Sequence, residues 1–329
     1  MSAPPLPVPA PLRRLSPSLR GTVFALLASI VLLLIGGIHR PSVLAPTSIA
    51  NLLLLASFIG ITAAGQTFVI LIGGIDLSIP WVLTAMGIML TTTSLGRDAR
   101  AWWVVPLVLV VGLGIGAVNG LGIVLFEIPP VVMTLGMNGI MEGVVLGLTN
   151  GFTCPSCNAT APPSVQAVVT GQLIPGIPNG LGPWIIIGVI VSLVLSATTF
   201  GRRIYALGNN PVASYLAGVN TRLVTVAVYA LSGLFAAIAG VALAAFGTQA
   251  TLGMGDPFLF QSIAAVVIGG ASILGGRGTY WGAMAGAIFL QVVQTVVLEF
   301  NVSEATRSIA SGVVILLALL LYGREARDV

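Results

Sequence analysis

Long apolar runs separated by short polar, glycine or proline breaks dominate the chain. Ten of them, at 21–38, 49–72, 80–95, 102–126, 130–149, 183–199, 222–247, 258–274, 280–298 and 305–322, are bounded by turn residues or charges. A helix needs about 20 mostly apolar residues to cross a bilayer. The runs are roughly twice as long as the strands of a membrane barrel, and in lipid each backbone polar group needs an internal partner, so the pattern predicts helices. The expectation is an all-α polytopic membrane protein with about ten transmembrane helices spread over residues 21–322. Residues 1–20, "MSAPPLPVPAPLRRLSPSLR", read as a disordered tail. The apolar run behind them has no small-residue cleavage signature, so it reads as an uncleaved first helix, and 323–329 as a short second tail.

Composition agrees, since 57% of the 329 residues are hydrophobic and only 7% charged, against about a quarter charged in soluble domains. All thirteen basic residues are Arg. Without Lys there is no P-loop for ATP and no Schiff-base site. The net charge of +4 is topological and does not point to nucleic acid. With the N-terminus inside, Arg13, Arg14, Arg20, Arg202, Arg203, Arg222, Arg277, Arg324 and Arg327 fall on the cytoplasmic side, and Arg40, Arg97, Arg100 and Arg307 outside. This satisfies the positive-inside rule with both termini cytoplasmic, and it requires an even number of spans.

Two segments are too long and polar to be turns. Residues 150–182, expected outside, hold five Pro and the two cysteines, Cys154 and Cys157. With one His in the chain a four-ligand zinc site cannot be completed, which leaves a local disulfide or two free thiols. Residues 199–221, expected inside, carry Arg202 and Arg203, a turn from Gly208 through Asn209 and Asn210 to Pro211, and an amphipathic turn and a half around Ala213 that stops at Gly218. A short helix of this kind suits a groove on a cytoplasmic partner, although a simple topological anchor would read the same way.

Polar residues within the spans are the remaining candidates. Thr134, Asn138 and Glu142 are spaced by four and share one helix face. A charge at mid-bilayer costs about 3 kcal/mol, so Glu142 is not expected to face lipid. This face, with Gln66 and Asn119, either lines a path for a hydroxyl-rich solute or joins helices. In "VILIGGIDLSIPW" (69–81), Gly73 and Gly74 are expected to end one helix while Asp76 or Ser78 caps the next, with Asp76 near the membrane surface. The glycines of "IGGASILGGRGTYWG" (268–282) are expected to serve close helix packing. That segment also echoes 69–81, each having a Val-Ile run, a Gly pair and then Trp81 or Trp281.

Several of these segments resemble sugar-type (ribose, xylose or arabinose-like) ATP-binding-cassette importer permeases of the branched-chain amino acid and sugar permease superfamily. "GGIDLS" is similar to that family's most specific marker, although Pro80 stands where the family usually has Gly. Gly201, Arg202, Ala206, Gly208, Asn210 and Gly218 match its cytoplasmic loop. "EIPPVVMTLGMNGIMEG" (127–143), Asn119-Gly120 and "SIAAVVIGGASILGGRGTYWGAMAG" (262–286) match further segments in the same order. The resemblance implies a permease subunit in the cell (inner) membrane. Its partners would be a cytoplasmic ATPase that binds ATP and Mg in this chain's stead, a second permease copy or relative, and an extracytoplasmic solute-binding protein. It makes 199–221 the coupling loop, without the Glu that other importers carry there. Competing readings are an ion-coupled secondary transporter, for which Asp76 and Glu142 are the available acids, and a permease for branched-chain amino acids. No His, Cys or paired-carboxylate constellation within a span points to a membrane enzyme.

Overall fold

The computed structural model describes residues 17–152 and 159–299, together with 309, 312 and 313. Among these residues no strand forms. The helices are α1 (Pro17–His39), α2 (Pro46–Leu71), α3 (Ile79–Ser94), α4 (Asp98–Leu125), α5 (Pro130–Thr149), α6 (Pro163–Thr170), α7 (Leu181–Ala197), α8 (Thr199–Asn209), α9 (Pro211–Leu216), α10 (Thr221–Phe246), α11 (Phe258–Ile268) and α12 (Tyr280–Glu299). By length and composition α1, α2, α4, α5, α10 and α12 can each cross a membrane, and α7 with α8, bent by 70° between them, makes a seventh candidate. α3 and α11 are apolar but shorter. Nine of the ten expected runs thus fall on helices, while 305–322 lies outside the described residues apart from 309, 312 and 313. One run is corrected, because 258–274 is helical only to Ile268. Gly270 (φ 90°) puts the chain in the left-handed region, and Gly270 N and Ala271 N donate back to Val267 O and Val266 O, closing the helix.

α2 is the centre of the bundle. Every residue from Ala56 to Leu71 is buried, and the helix packs on α7, α10, α11 and α12. α10 is pressed against α4 along Gly112, Gly116 and Gly120, a spacing that brings two backbones together where apolar burial cannot drive association. A methyl group on Gly120 would lie 2.6 Å from Val226 Cα, so this contact requires glycine. α1 lies at the periphery on α12, and its outer face (Leu27, Ile30, Val31) is exposed, as a lipid-facing helix requires.

The links group into two ends. At one, Arg40 pairs with Glu299 at 3.3 Å, Gly96 N donates to Thr160 O, and Ala161 N to Thr248 O. At the other, Gly276 N donates to Leu71 O at 2.9 Å and the Tyr205 hydroxyl to Gly278 O at 2.8 Å. The Arg pattern calls for this grouping, which places 150–182 opposite 199–221. The 150–182 segment holds a helix the pattern did not reveal, α6, and residues 153–158, with both cysteines, lie outside the described residues.

Candidate functional site

The chain between α2 and α3 is the most polar place in the bundle. α2 closes on Gly73 (φ 80°), with Gly73 N donating to Ile70 O and Gly74 N to Val69 O. This is the same closure as at the end of α11, and it gives the echo between 69–81 and the 268–282 segment a structural counterpart. Residues 73–78 then run without helical structure back into the bundle. The depth follows from two contacts. A Cβ on Gly65 of α2 would lie 2.8 Å from Ser232 Cα, and the Ser232 hydroxyl donates to Asp76 Oδ2 at 2.6 Å. Asp76 has therefore returned to the level of Gly65, after the helix has passed it and ended. Ser232 lies eleven residues into α10, roughly 16 Å along its axis.

This overturns the expected surface position of Asp76, whose residue is 1% exposed. Its carboxylate is held by three donors: Ser78 N at 2.9 Å, the Ser78 hydroxyl at 2.6 Å and the Ser232 hydroxyl at 2.6 Å. Asn119 Nδ2 donates to Ser78 Oγ at 2.9 Å, which extends the network to α4. From α5, Thr134 Oγ1 accepts Leu77 N at 3.0 Å and donates to Pro130 O at 2.9 Å. Tyr229, buried one turn before Ser232, sets its hydroxyl against Gly74 and leaves no room for a side chain there.

The expected cap of α3 is also corrected. Ser78 stands at the N-cap without a side-chain bond to the helix, and Asp76 accepts from Ser78 instead. Pro80 has no N–H to satisfy, and Trp81 N donates across to Asn138 Oδ1 at 3.4 Å. A helix on another segment thus serves one of the free amides at the start of α3. Thr134 holds the connector and Asn138 the start of α3, whereas Glu142, one turn on, is half-buried and free of that task. Burial and the nearby Glu142 carboxylate push the Asp256 carboxyl up from its ordinary value of 3.8. Beyond Glu142 the same face reaches Thr149, which with Thr91, Thr92, Asn150 and Gln249 lines a cavity of 390 Å³. Gln66 is fully buried on α2, and neither of its amide atoms meets a hydrogen-bond partner among the described residues.

The 199–221 segment begins as a helix where a turn was expected. Gly208 and Asn209 form the last turn of α8, and only Asn210 is extended (φ −158°, ψ 101°), with its Oδ1 accepting Ala213 N at 2.9 Å to start α9. Ile204 and Leu207 bury one face of α8 while Arg202 and Arg203 are exposed, and Gly218 (φ 80°) follows α9. Gly208 is the contact point: a Cβ there would overlap the Leu71 carbonyl oxygen and lie 2.5 Å from Gly276 N. With Tyr205 on Gly278 and Asn209 Nδ2 3.4 Å from Gly276 O, α8 is seated on the end of α2 and on the α11–α12 loop together. Gly275 and Gly276 pack against Gly208 and Asn209, the close packing expected of these glycines.

Ser232, Tyr229 and Tyr205 were not among the residues that the sequence pointed to. Ser232 and Tyr229 stand among apolar neighbours at helical spacing, and only the partner across the bundle marks them out. Among the described residues no cluster of three or more His, Cys, Asp or Glu side chains could hold a metal.

Comparison with known proteins agrees with this architecture. Residues 48–319 match the model of a family described as branched-chain amino acid transport system / permease component. The ribose import permease protein RbsC of Haemophilus influenzae is 31% identical over 89% of this chain and 90% of its own. The proteins of the same name from Bacillus subtilis and Escherichia coli K12 are each 33% identical, over 90% and 92% of this chain and 91% and 93% of theirs. No solved structure matches at a significant level. At least six helices able to cross a membrane, in a chain matched over most of its length to one family model, make this a multi-pass membrane protein that belongs to the permease-component family of branched-chain amino acid transport systems.

Proposed function

We propose that this chain is the membrane subunit of an ATP-binding-cassette importer and forms the path for a sugar or sugar-like solute. The relatives named as ribose import permeases support the sugar. The observation that carries the coupling is the seat of α8 on Leu71 and Gly276. The outer side of α9 is apolar and exposed at Val212, Tyr215 and Leu216, the form a cytoplasmic ATPase can grip. A push on α9 passes through α8 to the end of α2, and the next residues of the chain are the connector that carries Asp76. Small shifts become discrete movements when such packed contacts have two arrangements.

In this reading both termini and 199–221 are cytoplasmic, ten helices span the membrane, and 150–182 meets an extracytoplasmic binding protein. ATP and Mg belong to the partner ATPase, and a second permease, identical or related, completes the path. Glu142, Asn150, Thr149 and Gln249 face the solute, whereas Thr134, Asn119 and Asp76 hold the walls. An ion-coupled carrier is not favoured, because the family matched over most of the chain is a permease component of a transport system and the relatives are named import permeases. The test is ATPase activity of the assembled complex in proteoliposomes. Binding protein with its sugar should stimulate ATPase activity, and uptake should stop when the ATPase is inactivated. Uptake that continues would reject the reading, and a reporter fused after Val329 found outside would reject the topology.

A further inference from the structure

Between α4 and α7 lies a cavity of 620 Å³ that the transport reading does not use. Its floor is Phe58 and Ile61 of α2, with Val241 of α10 behind and α6 along one side. The lining is almost wholly apolar: Ser57 spends its hydroxyl on Leu54 O at 2.6 Å, and Asp98 and Ser164, at the starts of α4 and α6, are joined to each other. From Asp98 at the start of α4 the cavity reaches Val105, two turns deeper, roughly 10 Å. Its outward neighbours Ile186 and Ile190 on α7 are 59% and 54% exposed, and Trp102 is 77% exposed beside Asp98. A void of this size falls in the range of ligand sites, about 300–1,000 Å³, and an apolar void is not a place for water.

We infer that this cavity is a phospholipid site that takes an acyl chain of a zwitterionic, amine-bearing lipid such as phosphatidylethanolamine. The bilayer supplies the occupant, because the fissure lies between two membrane-height helices whose outer faces are apolar. The mouth selects the headgroup. The exposed Asp98 carboxylate, fixed by Ser164 N at 2.8 Å, faces an ammonium group. Arg97, next to it in sequence and exposed, carries the charge for the phosphate, and Trp102 stands at the level where aromatic side chains meet headgroups. A lipid seated there fills a gap beside the central helix α2 without touching the Asp76 network or the α8 seat.

The test is native mass spectrometry of the full-length chain released from nanodiscs containing equal amounts of phosphatidylethanolamine and phosphatidylglycerol. One phosphatidylethanolamine per chain should remain bound, in preference to phosphatidylglycerol. Asp98→Asn keeps the oxygen that Ser164 N needs and should lower that preference roughly twofold to fivefold, the range an exposed ion pair supports. Ala101→Trp fills the mouth and should remove the retained lipid. Absence of retained lipid in the unaltered chain, a phosphatidylglycerol preference, or a headgroup ratio that Asp98→Asn leaves unchanged would each overturn the site. Should Ala101→Trp fail to fold, the Asp98→Asn ratio decides alone, since that side chain is exposed. The result does not depend on ATPase or uptake, so it stands apart from the importer reading.

Discussion

Replacing Asp76 by Ala removes the acceptor of three donors at once. Ser78 N–H, the Ser78 hydroxyl and the Ser232 hydroxyl lie at 2.9, 2.6 and 2.6 Å from the carboxylate, and both serines are buried, at 2% and 0% exposure. A buried donor left unpaired costs about 1–3 kcal/mol. The hydroxyls can rotate towards backbone carbonyls and the amide cannot, so the loss belongs near the lower end for the former, roughly 3–5 kcal/mol in all. Against a typical stability of about 5–15 kcal/mol this is a large fraction. Asp76→Asn keeps Oδ1 for both Ser78 donors and turns its amide to Ser232, so it should retain most of the stability. Ser232→Ala should cost about 1–2 kcal/mol on its own and much less on the Asp76→Ala background, a coupling of about 1 kcal/mol in a double-mutant cycle. Denaturant unfolding in mixed micelles, followed by tryptophan fluorescence, measures all four corners. A change within about 0.5 kcal/mol for Asp76→Ala, or a Ser232→Ala cost that is the same on both backgrounds, would refute the network.

Further outcomes follow from the same contacts. Gly208→Ala forces a methyl group into the Leu71 carbonyl and towards Gly276 N; overpacking of this kind costs about 1–3 kcal/mol, and coupled uptake should fall roughly tenfold while the chain still reaches the membrane. Tyr205→Phe loses only the bond to Gly278 O and should give a milder loss of uptake per ATP hydrolysed in the same assay. Asn138→Ala frees Trp81 N–H at the start of α3 and should cost about 1 kcal/mol, as the loss of a helix cap does, read as a lowered unfolding midpoint. Charge removal at Arg40 or Glu299, whose side chains are 50% and 23% exposed, should change stability by no more than about 1 kcal/mol and less at high salt.

The sequence carried the periodic part of this structure plainly, because nine apolar runs with breaks between them can only become helices in lipid. It carried the end grouping through the Arg residues. It misplaced Asp76, and the reason is geometric: a Gly pair, a carboxylate and a Pro read as an interfacial turn with a cap, whether the chain stays at the surface or folds back along its own helix. Only Ser232, far away in sequence and packed on Gly65, settles the depth. Asn138 was legible as polar on the right face, but its role as an acceptor for Trp81 N depends on which helix lies opposite. The extension of α8 through Gly208 and Asn209 was hidden because glycine and asparagine are turn formers by propensity, while the close approach to Leu71 O requires glycine inside the helix. The 620 Å³ cavity has no sequence signature at all, since its lining comes from five separate helices.

The decisive measurement is uptake, into proteoliposomes holding this chain with its partner permease and ATPase, of the radiolabelled sugar that the binding protein carries, with the binding protein outside and ATP inside. Sugar should accumulate only with ATP hydrolysis and the binding protein, and accumulation should fall roughly tenfold in Gly208→Ala. Accumulation that persists with an inactive ATPase, or that Gly208→Ala leaves unchanged, would contradict it.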